Sequence, residues 1–455
     1  MKNTDLSISN MIYLFVSFLI VSFGQPVWSD WLGLMVALVG YALFFRGILF
    51  IQSTPKKFVI STLWFTAVQL VQFSWMSSHP FSYIYFVWLL LSLFMGLQWG
   101  CFSLFVKKSN LESFWTLLAL SGLWTLFEWS RLYFFSGLPL NPAGLSLTGN
   151  LYPLQMASLV GIYGLTFWVI FTNLLFLRLW IFSFKGSYFI APFIVCMIPY
   201  LFGGIHFFVH EKKLNASDTM NIVLVQPGFP VEESLKFQSA EEARQHVLNK
   251  WERIFILLKK QVGKSIDLIV LPEYVVPYGT FLLIYPEKEV NQIFEKIFGS
   301  ENHVKTLFAE MVNTYQGKQF LLSNASIIQR LADLFQTDIF IGLEDTEMIG
   351  KRETYSSAFL FISGMENRPI RYEKRILVPM GEYIPFEWCQ KLAANYGIAG
   401  SFQAGNEAKV FQGVVPIGCS ICYEELFGHM MSDNRKQGAE LLVNVTNDGW
   451  FPGST

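Results

Sequence analysis

Charge is what this sequence has least of. Asp, Glu, Lys and Arg make up only 15% of its 455 residues, where a soluble domain uses about 25% to cover its surface. Hydrophobic residues reach 53% and Phe alone numbers 45, which excludes a wholly soluble chain. The formal net charge of −1 supplies no basic surface and argues against a nucleic-acid partner. Cysteine is scarce and odd in number: Cys101, Cys196, Cys389, Cys419 and Cys422, too few for a disulfide framework. No small-residue cleavage site follows the first apolar run, 12–23, so that run reads as an anchor.

The charge deficit is uneven. Before about residue 210 charges are sparse and apolar runs long, and afterwards the balance is that of a globular domain. A spanning helix needs about 20 mostly apolar residues. Seven candidate spans fit: 8–28, 31–50, 58–77, 81–105, 113–135, 153–180 and 187–209. The short connections alternate in charge. Lys2, Arg46, Lys56, Lys57, Lys107, Lys108, Arg178 and Lys185 mark one side, while 25–30, 78–80 and 136–152 hold no Lys or Arg. The positive-inside rule then puts the N-terminus in the cytoplasm and, after an odd number of spans, the C-terminal domain outside. The expected division is 1–213, membrane domain, and 214–455, extracytoplasmic domain.

Glu128 and Arg131 sit at i, i+3 in the fifth span, on one helix face. Such a pair is either self-neutralising near the outer interface or turned to a lipid-headgroup cavity. A turn-rich loop, Ser136-Gly-Leu-Pro-Leu-Asn-Pro-Ala-Gly144, follows it. His206 and His210 have the i, i+4 spacing of a metal pair without a third ligand or the Glu of H-E-x-x-H, which favours interfacial histidines.

From Met220 the hydrophobic period changes. Strands are expected at 221–226, 267–273, 338–342, 355–362, 414–419 and 441–445. Ser239-Ala-Glu-Glu242 is a capping box opening a helix with Val247, Trp251, Ile254, Phe255 and Leu258 on one face, and a second helix is expected around 327–335. Strands alternating with helices imply an α/β layered fold.

Three segments place polar residues where a strand ends: Leu-Pro-Glu273-Tyr; Tyr-Glu-Lys374-Arg-Ile-Leu-Val-Pro-Met-Gly-Glu382-Tyr-Ile-Pro; and Gly-Cys419-Ser-Ile-Cys422-Tyr-Glu424-Glu425. Singly, they read as a solvated carboxylate, a surface lysine and a small buried hydrophobe. Together they supply a thiol acyl-transfer site: a thiol, a carboxylate base, and an ammonium and backbone N–H for an oxyanion.

This ordered set, behind a multi-span half, resembles the bacterial apolipoprotein N-acyltransferases of the nitrilase superfamily. The likeness extends to Phe-Glu128-Trp-Ser-Arg131 and Thr446-Asn-Asp448-Gly-Trp450-Phe. It implies a multi-span α-helical membrane domain followed by a nitrilase-like αββα sandwich, with Glu273 as general base, Lys374 on the oxyanion and Cys422 as nucleophile. It implies supporting roles for Glu382, Tyr423 (through its amide) and Glu424, and substrate contacts from Phe237, Glu128, Arg131 and Trp450. The implied reaction is ping-pong. A phospholipid gives its acyl chain to Cys422, and the thioester passes it to the α-amine of a diacylglyceryl-cysteine on an apolipoprotein. The implied location is the bacterial inner membrane with the catalytic domain periplasmic; no cofactor or metal is implied.

Three departures accompany the likeness. Phe237 stands where the family tends to have Trp, and an insertion around 285–325 lengthens the stretch from Glu273 to Lys374. The family's final strands and last membrane span are not matched before Thr455. Two alternatives stay open, a membrane-anchored nitrilase-type amide hydrolase and an inactive truncated relative. A redox or metal reading of Cys419-Ser-Ile-Cys422 lacks both a second CxxC and a nearby His pair.

Overall fold

The computed structural model describes residues 7–25, 29–182, 187–214, 218–229, 237–300, 310–314, 317–349, 351–384 and 402–453. Lys2, Lys185 and Cys389 lie outside them, as do 301–309 and 315–316 of the expected insertion. The chain divides into two compact units, with the boundary between Ser217 and Asp218.

The first unit is helical: α1 (Ile8–Phe23), α2 (Asp30–Ile48), α3 (Thr54–Gln72), α4 (Ile84–Ser103), α5 (Phe114–Ser130), α6 (Ala157–Phe182) and α7 (Ser187–Leu214). Among the described residues four helices are long and apolar enough to cross a membrane: α2, α4, α6 and α7 from Pro192. Small residues set the closest packing. A Cβ on Gly96 of α4 would lie 2.1 Å from Thr66 Oγ1 of α3, so the backbones approach as in small-xxx-small membrane pairs. Helix α2 holds a π-helical turn, Val36–Gly40, whose displaced backbone groups need partners in an apolar setting. Asn173 of α6 supplies them, accepting from Ala42 N at 2.9 Å and donating to the carbonyls of Val36 (2.8 Å) and Ala37 (3.0 Å).

The second unit is a sandwich. One sheet orders β1 (Ile222–Leu224), β2 (Leu268–Leu271), β6 (Asp338–Ile349), β7 (Lys351–Phe361) and β8 (Ile370–Glu373), parallel through β6 and antiparallel beyond. A second orders β11 (Leu441–Val445), β10 (Pro416–Ile421) and β9 (Val410–Gln412). Period-two alternation decides what each side chain meets. Ile269, Leu271, Ile339, Ile341, Phe359 and Phe361 pack on helices α8 (Ala240–Lys259) and α10 (Asn324–Phe335). Their neighbours Leu268, Val270, Phe340, Ala358 and Leu360 pack on Phe411, Ile417, Cys419, Ile421 and Val445 of the second sheet. Beyond that sheet lies α11 (Gly428–Lys436), completing helix, sheet, sheet, helix. Ser239 caps α8 by accepting from Glu242 N at 3.1 Å, where the sequence puts that start.

Part of the insertion packs into the core. It forms β3 (Tyr285–Pro286), helix α9 (Glu287–Phe298), β4 (Glu310–Thr314) and β5 (Gly317–Leu322), with β5 between the other two strands. Val290, Phe294, Ile297 and Phe298 of α9 are buried in the core that α8 shares. Their i, i+4, i+7, i+8 spacing is an amphipathic stripe, and burying it is what draws the segment inward.

Candidate active site

Glu273, Lys374 and Cys422 each stand just past a strand, β2, β8 and β10, and the sandwich brings the three together. Glu273 is 4% exposed; its carboxylate accepts from Ser356 Oγ at 3.2 Å and from Lys374 Nζ at 3.5 Å, and its charge acts on the Cys422 thiol. Gly342 of β6 makes room for it, since a Cβ there would come within 2.6 Å of Glu273 Cα. Lys374 is fully buried, and its nearer partner is Glu382 Oε1 at 2.6 Å. The other Glu382 oxygen accepts from Val378 N at 2.8 Å. Glu382 therefore orients the ammonium and leaves Glu273 freer toward the thiol.

Cys422 follows β10 and opens a tight turn, Cys422–Leu426, with φ of 50°. Tyr274, next to Glu273, and Met380, near Glu382, also have positive φ, at 48° and 66°. Non-glycine residues in this region store strain that the surroundings must hold in place, and it clusters at functional sites. Here the holders are visible. Glu424, fully buried, accepts from Ile421 N (2.8 Å), Arg375 N (2.6 Å), Ile376 N (3.1 Å) and Tyr372 Oη (3.0 Å). It ties the cysteine turn to the segment that follows Lys374. Asn444 of β11 donates to the Cys422 carbonyl at 3.3 Å and to Glu425 Oε2 at 2.6 Å.

One ammonium faces two carboxylates, so the buried cluster has net charge −1 while the thiol is neutral. Burial and then the Glu273 charge push the Cys422 thiol up to about 12, against the pull of Lys374 and a hydrogen bond from Thr446. Burial likewise raises the Glu273 carboxyl, although Lys374 lowers it. Burial alone would lower the Lys374 ammonium, but Glu273, Glu382 and Cys422 outweigh it and hold it above its ordinary value. Losing the thiol proton to solvent would take the cluster to −2. Passing it to Glu273 leaves −1 unchanged, so proton transfer inside the site avoids the cost that holds the thiol neutral.

Cys419 is elsewhere in character: 1% exposed, packed between the sheets, its thiol raised far above the ordinary value by burial. Tyr423 packs edge-on against Phe427 at 5.4 Å. Phe237 lies against His246 of α8, with ring centres 5.3 Å apart, and Trp450 is half-buried in the turn Asp448–Trp450. Glu128 and Arg131, in the helical unit, are both buried. Each braces the 136–147 segment. Glu128 accepts from Ala143 N (2.9 Å), Trp124 Nε1 (2.8 Å) and Thr166 Oγ1 (2.6 Å); Arg131 donates to the Leu140 carbonyl (3.1 Å) and Gln98 Oε1 (2.7 Å). Backbone groups in an apolar setting draw on both charges.

Sequence reasoning missed Ser356, Asn444 and Arg375. Ser356-Ser357, at the head of the apolar run Ala358–Phe361 in the strand Lys351–Phe361, was a legible signal, a polar pair adjoining core positions.

Two family models match the chain: the apolipoprotein N-acyltransferase N-terminal domain over residues 17–175 and carbon-nitrogen hydrolase over 235–455. The apolipoprotein N-acyltransferase of Chlamydia pneumoniae is 31% identical, covering 97% of this chain and 80% of that protein. That of Chlamydia caviae is 30% identical over 96% and 79%. The enzyme so named from Chlorobaculum tepidum is 25% identical over 83% and 70%. Among solved structures, a carbon-nitrogen hydrolase from Helicobacter pylori G27 covers 50% of this chain and 59% of its own at 17% identity and a TM-score of 0.27, too slight a likeness to argue from. With both family domains in order and about four-fifths of each chlamydial protein spanned, this chain belongs to the apolipoprotein N-acyltransferase family.

Proposed function

We propose that the chain transfers a fatty acyl group from a membrane phospholipid, through a thioester on Cys422, to the α-amine of a diacylglyceryl-cysteine at an apolipoprotein N-terminus. The observation that carries this is the convergence of Glu273, Lys374 and Cys422 at three strand ends, with the buried Lys374 ammonium held between Glu273 at 3.5 Å and Glu382 at 2.6 Å.

In the first half-reaction Glu273 takes the Cys422 proton and the sulfur attacks the ester carbonyl, forming a C–S bond. The Lys374 ammonium and the amide after Cys422 stabilise the oxyanion. Collapse breaks the ester C–O bond, and Glu273 returns the proton to the departing lysophospholipid alkoxide. In the second, the neutral α-amine attacks the thioester, Glu273 removes a proton from nitrogen, and the thiolate leaves and is reprotonated. Glu382 and Glu424 position the ammonium and the cysteine turn, and Glu128 and Arg131 hold the 136–147 segment. Phe237 and Trp450 offer aromatic surface to the lipid substrates.

All seven helices cross the bacterial inner membrane in this reading, with the N-terminus cytoplasmic and the catalytic unit outside. Thiol labelling at a cysteine introduced at position 56 should occur from the cytoplasm; labelling from the periplasm overturns the topology. For the chemistry, the protein is incubated with a defined phospholipid and its mass read. The acyl adduct should map to Cys422, vanish in Cys422→Ser, and discharge onto a diacylglyceryl-cysteine peptide. Discharge to water alone would favour an amide hydrolase.

A further inference from the structure

Helix α7 carries two imidazoles that acyl transfer leaves unused. His206 and His210 face each other with Nε2 atoms 3.1 Å apart. A neighbour fixes which His206 nitrogen donates. Gln155 Nε2 donates to the Leu151 carbonyl at 3.1 Å, which turns Gln155 Oε1 toward His206 Nδ1 at 3.0 Å. An amide oxygen only accepts, so His206 Nδ1 bears the hydrogen and the neutral ring presents its Nε2 lone pair to His210. Phe202, one turn earlier, stacks on the His206 ring at 5.3 Å and 23° and fixes its plane.

Three features of a metal ligand are thus present at His206: a lone pair on Nε2, an orienting acceptor on the other nitrogen, and a second imidazole within one turn, whose Nε2 hydrogen, now donated to His206, moves to Nδ1 when an ion takes its place. The spacing agrees. Two nitrogens each ~2.05 Å from a metal lie ~2.9 Å apart at a right angle and ~3.3 Å apart at the tetrahedral angle. The observed 3.1 Å falls between.

We propose that His206 and His210 form a two-imidazole site for a divalent transition-metal ion of the Zn²⁺, Ni²⁺ and Cu²⁺ class. Among the described residues no third His, Cys, Asp or Glu joins them, so water completes the coordination and the ion exchanges readily. Spacing alone favoured interfacial histidines; the Gln155 contact is what the sequence could not display.

The test uses the full chain in detergent, purified without a polyhistidine tag, stripped of metal and titrated calorimetrically with Ni²⁺ and then Cu²⁺. One ion should bind per chain, Cu²⁺ more tightly than Ni²⁺, with electron paramagnetic resonance of the Cu²⁺ form showing two equatorial nitrogens. His206→Ala and His210→Ala should each abolish this binding with helical circular dichroism and gel-filtration volume unchanged. Gln155→Leu, which keeps both imidazoles, should weaken it about 10–100-fold. Binding that survives either histidine substitution, or none up to millimolar metal, overturns the proposal and leaves the contact an N–H···N hydrogen bond. Unchanged affinity in Gln155→Leu overturns the tautomer argument on which it rests.

Discussion

Glu273→Gln separates base catalysis from oxyanion stabilisation with the least disturbance. The amide keeps the shape of the side chain and can still accept from Ser356, and Lys374 keeps Glu382 at 2.6 Å. What changes is charge. The native cluster stands at −1 and would reach −2 if the thiol ionised to solvent, whereas the variant starts neutral and reaches only −1. The thiol, at about 12 in the native protein, must therefore titrate lower in the variant. At pH 7 a thiol of pKa 12 is ionised to a fraction on the order of 10⁻⁵, and without a base the reaction waits on whatever thiolate exists. Thioester formation at pH 7 should fall about 10²–10⁴-fold, the usual worth of a general base. It should then climb about tenfold per pH unit toward pH 9 as thiolate accumulates. The native enzyme should not climb that way, because its base is already ionised there. Its own loss comes on the acid side, as the raised Glu273 carboxyl protonates at a higher pH than an ordinary glutamate. Rates are read as the mass of acylated protein against time, with near-ultraviolet circular dichroism confirming the fold. A flat profile for the variant between pH 7 and 9, or the same slope in both proteins, would refute the assignment of Glu273 as base.

Lys374→Met should cost about 10²–10³-fold in thioester formation without alkaline rescue, since the lost cation also drives the thiol upward; recovery at pH 9 would contradict this. It also strands the buried Glu273 carboxylate and the half-buried Glu382, so denaturant titration should show a loss of about 3–5 kcal/mol, and an unchanged midpoint would show that solvent reaches them. Cys419→Ala should keep the acyl adduct and lose only packing, about 1 kcal/mol in the same titration, whereas an adduct that disappears would implicate Cys419. Gly342→Ala forces a Cβ to within 2.6 Å of Glu273 Cα. Displacing the base should lower the rate while costing about 1–3 kcal/mol of stability; native kinetics would mean that the strand yields without moving the carboxylate.

The layered fold was legible because its signals are local. Leu441–Val445 is a strand at the residues expected, and Ser239 begins its helix by the cap the sequence displays. Strand lengths were not. Asp338–Ile349 runs well past residue 342 because its later residues, Glu344 to Ile349, pair with Lys351–Phe361, and pairing is not written in hydrophobicity. The same holds at the site. Glu273, Lys374 and Cys422 announce themselves by chemistry at strand ends, but the stronger partner of Lys374 is Glu382, a distinction of 2.6 against 3.5 Å. Glu424 looked like a further acid from sequence. Its hydrogen bonds to three backbone amides and a tyrosine make it a tether, which only packing could reveal.

Base and ammonium hang from one sheet and the nucleophile from the other, with Lys374 101 positions after Glu273 and the cysteine later still. Neither sheet alone holds a reactive centre, so competence arrives as a late event when their faces close on Phe340, Ile417 and Ile421. Contacts so distant in sequence form slowly. During synthesis the thiol is also the last of the three groups to leave the ribosome. A nascent chain threading past abundant lipid esters therefore carries no armed sulfur, and in refolding, acylation should lag behind the return of secondary structure.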